Sequence, residues 1–359
     1  MPFVRVVFVI EDSLPNGRVS AELTPTLWSL IAEGGWHPDG GVSVLASSTY
    51  PNHATFATGA DVSGHRIFTN DIWDGERFVC SSTVGPVGDT IFAAANRAGR
   101  STAAITGDTT MLGCMGAGVA DVSWPSSDAV RDAAKDCLGY PANSAVLEAL
   151  STSGALDSDL LFVHMNDPDS TLHRFGPHAD ETTDSIRRVD DDLAAVVEML
   201  RPRWDETVVF VVSDHEQEQV DPEQTPLDLA DLISAAGQPG QAHNEGSVGI
   251  VYGSNGAHQL EKLPGIAGAV DLDVSADGTS IALAWSSPGR VFGSSPKTML
   301  GQHGSPRTRT QVATVSGGHP VVPKLARRFR CGFGSADGRP HATYYAHVMA
   351  ELLEIRLGL

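Results

Sequence analysis

The sequence has few cysteines and few basic residues, and each shortage excludes a class of protein. Its four cysteines form no Cys-x-x-Cys pair and no dense framework, so neither a thiolate zinc site nor a disulfide scaffold is indicated. Buried free thiols are the favoured interpretation. The 24 basic residues stand against 44 acidic ones, and the net charge of −20 repels nucleic-acid polymers and anionic membranes. We therefore expect neither as a partner.

The sequence also lacks a long apolar run. The stretch from Phe3 to Ile10 is too short to span a membrane, and it has neither the basic region nor the small-residue cleavage site of a signal peptide. A cytoplasmic location is the resulting expectation. With 359 residues, of which 41% are hydrophobic, the chain can build a large core. We expect one catalytic domain over residues 1–359.

Short β-branched runs alternate with longer helical patterns along most of the chain. The runs typical of buried strands are Val4–Ile10, Thr102–Thr106, Leu160–Val163 and Val208–Val212. Helices are predicted between them, at about 25–33, 52–58, 89–99, 142–150 and 180–200. Strands and helices in alternation predict a doubly wound α/β fold, with a mostly parallel sheet covered by helices on both faces.

The pattern changes after the last of these strands. Residues 216–245 are polar and rich in Pro and Gln, and two later runs, 270–274 and 281–285, flank the turn signal Asp277-Gly278. We expect a small antiparallel lobe over about 218–297. It would be inserted like a cap over the site and would contribute substrate contacts more than chemistry.

Six residues of metal-binding types are spread along the chain, at the ends of hydrophobic runs or in short polar loops. Because parallel strands end at the same edge of a sheet, residues remote in sequence can converge there. Each alone has an ordinary interpretation, as a turn residue, an ion pair or a loop histidine. Together they predict a two-metal site. The six are Asp12, Asp169, His173, Asp214, His215 and His303.

Two pairs among the six are more informative than the rest. Asp214 and His215 directly follow a predicted strand, and a charged pair in that position needs a counterion, which a metal supplies most simply. Asp169 and His173 are four residues apart, a spacing that lets one helical turn direct both at the same ion. A structural ion pair is the alternative for the second pair.

Thr49 lies just before the predicted helix at 52–58, in the sequence Thr-Tyr-Pro-Asn-His. The N–H groups and the dipole at a helix N-terminus favour anions. A threonine hydroxyl is a poor nucleophile unless a metal or a base promotes its ionisation. Thr49 alone is therefore better explained as a helix cap, and only the neighbouring metal ligands favour a nucleophile.

Four segments resemble the nucleotide pyrophosphatase/phosphodiesterase family of the alkaline phosphatase superfamily. They follow the family order and the likeness covers nearly the whole chain; they are Thr49-Tyr-Pro-Asn-His53, Asp169-Ser-Thr-Leu-His173, Ser213-Asp214-His215 and Gly301-Gln-His303-Gly304. The resemblance implies an alkaline phosphatase-like fold. It also implies a hydrolase that cleaves phosphodiester or pyrophosphate bonds of small phosphate esters, with a nucleotide as one candidate substrate.

The resemblance further implies two zinc ions and a covalent phospho-threonine intermediate on Thr49. One ion would be bound by Asp169, His173 and His303. The other would be bound by Asp12, Asp214 and His215 together with Thr49. Manganese is the alternative metal, because imidazole and carboxylate ligands suit both.

The resemblance also implies substrate contacts. Asn70 would hydrogen-bond a phosphoryl oxygen together with the backbone N–H of Tyr50, whose ring could form an aromatic wall. His164 is expected to contact the substrate, because it stands where nucleotide-cleaving members often have a base-stacking tyrosine. Three residues depart from the family pattern: Ser13 and Glu216 stand where glycine is usual, and His164 replaces that tyrosine.

Other functions are ranked by the residues they would need. A sulfatase is disfavoured because no Cys-x-Pro-x-Arg motif occurs. A phosphonoacetate hydrolase shares the threonine and both metal sites but grips its substrate with lysines, and the four lysines here are far from Thr49 and Asn70 in sequence. That activity, or a phosphomonoesterase activity, is the second alternative. An inactive, metal-stabilised binding protein is the alternative from another class.

Overall fold

The computed structural model describes residues 3–126, 130–275, 278–293 and 298–358. Its strands are β1 (Arg5–Glu11), β2 (Gly35–Trp36), β3 (Gly41–Val42), β4 (Asp71–Trp73), β5 (Phe78–Cys80), β6 (Thr102–Thr106), β7 (Val122–Trp124), β8 (Leu160–Met165), β9 (Thr207–Val212), β10 (Glu218–Gln219), β11 (Gln241–Glu245), β12 (Val248–Ser254), β13 (Ile266–Val274), β14 (Ser280–Ser286), β15 (Gly301–Gln302), β16 (Thr310–Gln311) and β17 (Thr314–Val315). Its α-helices are α1 (Pro25–Glu33), α2 (Thr49–Thr58), α3 (Val62–His65), α4 (Ile91–Arg97), α5 (Met111–Cys114), α6 (Asn143–Thr152), α7 (Asp169–Phe175), α8 (Asp180–Leu200), α9 (Leu229–Ala235), α10 (Ala257–Leu260), α11 (Val322–Arg330) and α12 (Tyr344–Leu353).

A sheet of five parallel strands, in the order β7-β6-β8-β1-β9, forms the centre of the molecule. β1 lies between two neighbours, and its Val6 pairs with Leu160 on one side and Val208 on the other. All seven residues of β1 are buried. A strand buried on both faces needs apolar residues at successive positions, which explains the uninterrupted Val-Val-Phe-Val-Ile run.

Alternate residues of β1 pack against opposite layers of helices. Phe8 belongs to a core shared with α2, α4, α11 and α12, whereas Val9 belongs to a core shared with α1, α6 and α8. Helices therefore cover both faces, which confirms the predicted doubly wound α/β fold. α2 begins at Thr49, three residues before its predicted start, because Pro51 lies in the first turn, where its missing N–H leaves no hydrogen bond unmade.

The antiparallel lobe is built around a second sheet, in the order β11-β12-β14-β13. β13 and β14 pair as the arms of the predicted hairpin. Asp277 of its predicted turn, and Lys297 near the predicted end of the lobe, lie outside the described residues. The boundaries of the lobe, about 218–297, and its role as a cap stay predictions.

The four cysteines are free, but the prediction that they are buried holds for only part of the set. Cys114 is buried and Cys80 is half-buried, whereas Cys137 and Cys331 are exposed. Cys137 lies in a connecting loop and Cys331 follows the end of α11, and such segments run over the surface. None of the described helices is long and apolar enough to cross a membrane.

Candidate active site

The predicted metal ligands converge at the carboxyl edge of the central sheet. Asp12 directly follows β1, and Asp214 and His215 follow β9 after one serine. Asp169 and His173 lie on α7, shortly after β8. Since β8, β1 and β9 are adjacent in the sheet, their carboxyl ends bring these five side chains into one region.

Three of the ligands form a buried cluster, which we call the inner group: Asp12, Asp214 and His215. Their ligand atoms all lie within 4.8 Å of one another. His215 Nε2 is 3.7 Å from Asp12 Oδ1 and 3.3 Å from Asp214 Oδ2. No member is more than 1% exposed. The set is the one that the resemblance implies for one metal ion.

The other three ligands, Asp169, His173 and His303, form what we call the outer group. His173 Nε2 is 3.5 Å from Asp169 Oδ2, and the His173 and His303 rings are 5.0 Å apart. His173 Nδ1 lies 2.9 Å from the carbonyl of Gly301, so Nδ1–H donates there and Nε2 is left for a metal. His303 also stacks on His215 at 4.0 Å. Ligand atoms of Asp169, His215 and His303 also lie within 4.8 Å of one another, so His215 is close to both groups.

The two groups suit divalent cations. Asp12 Oδ1, Asp214 Oδ2 and His303 Nδ1 are buried without a hydrogen-bond partner among the described residues. Burial raises the pKa of both carboxyl groups above its ordinary value. Burial also lowers the pKa of His215, and that of His303 to about 4, which keeps the imidazoles neutral. Neutral imidazoles and unpaired carboxylate oxygens are the donors that zinc and similar ions prefer.

Thr49 lies beside the inner group. It is the first residue of α2, and its Oγ1 is 3.1 Å from His215 Nε2. The helix cap is Ser48, so capping does not account for the Thr49 side chain. The backbone of Thr49 accepts a hydrogen bond from His53, a buried residue whose Nδ1 is also 3.6 Å from Asp214 Oδ2. The hydroxyl is thus held at a helix N-terminus next to buried metal-type ligands.

Asn70 and Tyr50 lie close to the threonine, but one predicted contact differs. The Tyr50 backbone N–H donates to Asn70 Oδ1 at 3.0 Å, so it is already paired and is not free for a phosphoryl oxygen. The same bond directs the Asn70 carbonyl oxygen toward the helix and leaves Asn70 Nδ2 as the donor for a ligand. The Tyr50 hydroxyl donates to Asp108 at 2.7 Å, which fixes the ring in the cavity wall.

His164 does not occupy the predicted substrate-contact position. It is 1% exposed, and its Nε2 is 3.0 Å from Asp12 Oδ2, while its Nδ1 accepts the N–H of Gly107. Nε2–H therefore donates to Asp12. His164 lies within β8 in register with Ile10, so its side chain reaches the end of the adjacent strand and not the cavity. The residue orients a candidate ligand and is no part of the cavity lining.

Two polar neighbours form hydrogen bonds with the ligands. Ser13 Oγ is 2.7 Å from Asp169 Oδ1 and 2.9 Å from His215 Nδ1, and the Ser13 N–H donates to Asp214. Gln217 Nε2 donates to Asp169 Oδ1 at 2.5 Å. Ser13 therefore bridges the inner and outer groups, which a glycine at that position could not do with a side chain.

The second departure from the family pattern has no such effect. Glu216 turns away from the groups, and its Oε1 accepts the backbone N–H of Asn16 at 2.9 Å. Its carboxylate therefore adds no ligand to the site. The position accepts a side chain larger than glycine, because the Glu216 carboxylate forms this hydrogen bond with the buried Asn16.

A cavity of about 140 Å³ opens beside Thr49 and the outer group. Sequence reasoning missed five residues of its lining: Asp108, Leu138, Tyr140, Asn166 and Met299. Tyr140 lies in a loop held by Asp136, whose carboxylate accepts three successive N–H groups of the loop and a hydrogen bond from Asn166. No local pattern marks Tyr140 as a site residue, because the place of its loop depends on the contact of Asp136 with Asn166, 30 residues away in sequence. The described lining residues include no lysine or arginine.

Comparison with known proteins identifies a family and several solved structures of similar fold. A model of the type I phosphodiesterase / nucleotide pyrophosphatase family matches residues 6–286. Murine ectonucleotide pyrophosphatase/phosphodiesterase 5, solved as an inactive variant with AMP, is 16% identical with a TM-score of 0.71; the match covers 99% of this chain and 96% of that one. The human protein of that name is 18% identical with a TM-score of 0.68, covering 98% and 95%. Phosphonoacetate hydrolase from Sinorhizobium meliloti, solved with phosphonoacetate, is 17% identical with a TM-score of 0.70, covering 98% and 96%.

Proposed function

The chain belongs to the type I phosphodiesterase/nucleotide pyrophosphatase family, and from this premise we propose that it hydrolyses small phosphodiesters or pyrophosphates through a covalent intermediate on Thr49. The family membership makes it a phosphoester hydrolase. The observation that supports the finer proposal is the position of Thr49 Oγ1, 3.1 Å from His215 Nε2 at the N-terminus of α2. The hydroxyl also lines the cavity that a substrate would enter.

We propose that the inner group together with Thr49 holds one divalent cation and that the outer group holds a second. Zinc is the proposed metal, with manganese as the alternative. Bound there, the two ions would supply positive charge that promotes ionisation of a hydroxyl and offsets the charge of a phosphate. Such charge is needed in a protein with a net charge of −20 whose described cavity lining has no basic side chain other than histidine.

The residues of the chain divide the reaction between them. Thr49 loses its proton to solvent, and its Oγ1 forms a bond to phosphorus as the bond from phosphorus to the leaving oxygen breaks. Asn70 Nδ2 donates to a phosphoryl oxygen, because Asn70 Oδ1 is occupied by the Tyr50 N–H. Water then attacks the phosphorus as the bond from phosphorus to Thr49 Oγ1 breaks, and Oγ1 takes up a proton in place of the one that the water loses, which restores the hydroxyl. The two steps give phosphate or a phosphate monoester and the free leaving group.

The cavity favours a diester or pyrophosphate over phosphonoacetate. The solved relatives hold AMP in one case and phosphonoacetate in another, so both kinds of ligand suit this fold. Here Asp108 lines the cavity and the described lining has no lysine, so a substrate carboxylate would meet a negative charge without a cationic side chain to pair with. Tyr50 and Tyr140 instead offer aromatic surface to an organic leaving group.

Release of nitrophenol from bis-p-nitrophenyl phosphate, by purified protein supplied with zinc or manganese, tests the proposal. We expect turnover, and we expect p-nitrophenyl phosphate and phosphonoacetate to react more slowly under the same metal loading. If the protein binds metal fully but releases no nitrophenol from any ester, the inactive binding protein is the better description. If phosphonoacetate is the fastest substrate, the protein is better described as a phosphonoacetate hydrolase than as a diesterase.

A further inference from the structure

The tip of one lobe hairpin reaches into the site. β11 and β12 are joined by the two residues Gly246 and Ser247, with Glu245 paired to Val248. The N–H and the hydroxyl of Ser247 donate to the carbonyl of His303 at 3.1 and 2.7 Å. Gly246 has φ +60°, and a Cβ there would lie 3.0 Å from the His303 carbonyl oxygen. The tip therefore packs directly against the outer group.

The residue before this turn contacts the other side of the site. Glu245 Oε2 accepts the backbone N–H of Asn70 at 2.9 Å, across 175 residues of sequence. The Asn70 side chain in turn accepts the Tyr50 N–H at the start of α2. A continuous path of hydrogen bonds thus runs from the lobe carboxylate, through Asn70, to the residue that follows Thr49.

Burying the Glu245 carboxylate costs free energy of solvation, which its hydrogen bonds must offset. Burial raises the pKa of Glu245 to about 7, while the hydrogen bond from the Asn70 N–H acts in the opposite direction. The carboxylate would lose less solvation on the outer surface of the lobe. Its position is therefore better explained by the Asn70 backbone that it holds than by the stability of the lobe.

We infer that Glu245 is a positioning residue of the lobe, which holds the Asn70 backbone so that the Asn70 amide can receive the phosphoryl group. The inference rests on the proposed function, because Asn70 matters only if a phosphoryl group enters the cavity. It assigns the lobe a part in the chemistry, beyond the substrate contacts expected from the sequence. Glu245 itself need not touch the substrate.

Three variants and one control separate this role from a general loss of stability. Glu245→Ala removes the acceptor, whereas Glu245→Gln keeps an oxygen that can accept the Asn70 N–H. Asp271→Asn is the control, because Asp271 also accepts a backbone N–H, that of Ala257, but does so within the lobe. Asn70→Ala removes the side chain through which Glu245 is inferred to act.

The first measurement is kcat/KM for bis-p-nitrophenyl phosphate. We expect Glu245→Ala to lower it by about ten- to hundredfold, as small displacements of a positioned group do. Glu245→Gln should stay within about threefold of the wild type, because a neutral hydrogen bond of modest strength remains. In the Asn70→Ala background, Glu245→Ala should cost less than about twofold, since coupled residues are not additive. Equal losses in both backgrounds would overturn the inference.

The second measurement does not need turnover. Hydrogen exchange of the Asn70 amide, followed by NMR, should be about tenfold faster or more in Glu245→Ala and unchanged in Asp271→Asn. If the amide exchanges equally slowly in Glu245→Ala, Glu245 does not hold Asn70 and the inference is wrong. Absence of diesterase activity in the wild type is a different result, which would contradict the proposed function alone.

Discussion

The inner and outer groups contain the same types of ligand in different surroundings. Asp12, Asp214 and His215 are 0–1% exposed and follow β1 and β9, two adjacent strands of the central sheet. The members of the outer group are 7–8% exposed and come from a short helix and a glycine-flanked loop. Asp169, His173 and His303 all line the cavity, whereas Asp12 is the one inner residue among the described lining.

This difference leads us to expect different roles for the two groups. The inner group is fixed by the sheet and by buried partners, since His164 donates to Asp12 and His53 lies beside Asp214. Thr49 adjoins this group. The outer group faces the cavity. We therefore expect substitutions near the inner group to remove the nucleophilic step and those in the outer group to weaken substrate handling and metal retention.

The largest effect is expected for Thr49→Ala. It should lower kcat by roughly three orders of magnitude or more while leaving fold and metal content nearly intact, because it removes the nucleophile and none of the six side-chain ligands. Thr49→Ser should retain far more activity, since the hydroxyl is kept. Steady-state kinetics with elemental analysis of each variant make the test. A Thr49→Ala enzyme that hydrolyses diesters at nearly the wild-type rate would contradict the assignment of Thr49.

Stereochemistry gives an independent check of the same step. A chiral phosphorothioate diester should be hydrolysed with net retention at phosphorus, because two in-line displacements each invert the centre. Net inversion would mean that water attacks directly and that Thr49 is not the nucleophile.

The two metal sites should respond differently to loss of one carboxylate. Asp214→Asn should lower activity by about a hundredfold or more and empty the inner site, because a neutral amide is a weaker ligand and its neighbours are buried. Asp169→Asn should lose the outer ion on dialysis and keep the inner one. Elemental analysis before and after dialysis measures both, with about two ions per chain expected in the wild type. Loss of both ions in Asp169→Asn, with both kept in Asp214→Asn, would reverse the comparison.

Residues that form hydrogen bonds with the ligands should also affect one metal site each, with smaller losses of affinity and activity. His164→Ala should reduce inner-site affinity and kcat by about tenfold, and His164→Gln should restore part of both, because its amide can donate to Asp12 as Nε2 does. Gln217→Ala removes a donor to Asp169 and should weaken the outer site alone. Competition of each variant with a zinc-sensitive dye separates the two sites. Equal loss at both sites in either alanine variant would show that the groups are not independent.

The smallest effect is expected at Ser13, which bridges the groups. Ser13→Ala should weaken metal binding severalfold, since both bonds of the hydroxyl are lost. Ser13→Gly loses the same bonds but relieves the positive φ of 61° at this position. Thermal unfolding should therefore show the glycine variant to be more stable than the alanine variant, with similar metal affinity. An alanine variant that is the more stable of the two would contradict this account.

The sequence predicted the sheet and the convergence of ligands because both follow from local signals. A buried run such as Val208–Val212 marks its own strand, and the shared carboxyl edge then places whatever follows it. The contacts of His164, Tyr140 and Glu245 were not predictable in this way. His164 depends on the register of β8 with β1, Tyr140 on a loop anchor, and Glu245 on how far the lobe reaches. Each is set by tertiary structure that leaves no periodic trace.

The place of β1 in the sheet also bears on how the protein is made. The Val-Val-Phe-Val-Ile segment leaves the ribosome before either of its partner strands, β8 and β9. Val6 can pair only after Leu160, and later Val208, have been synthesised. At about 5–20 residues per second, the first partner follows on the order of ten seconds later. Until then both edges of the strand are open to other nascent chains. Arg5 and Glu11 bracket the segment with charge, as residues that limit aggregation do.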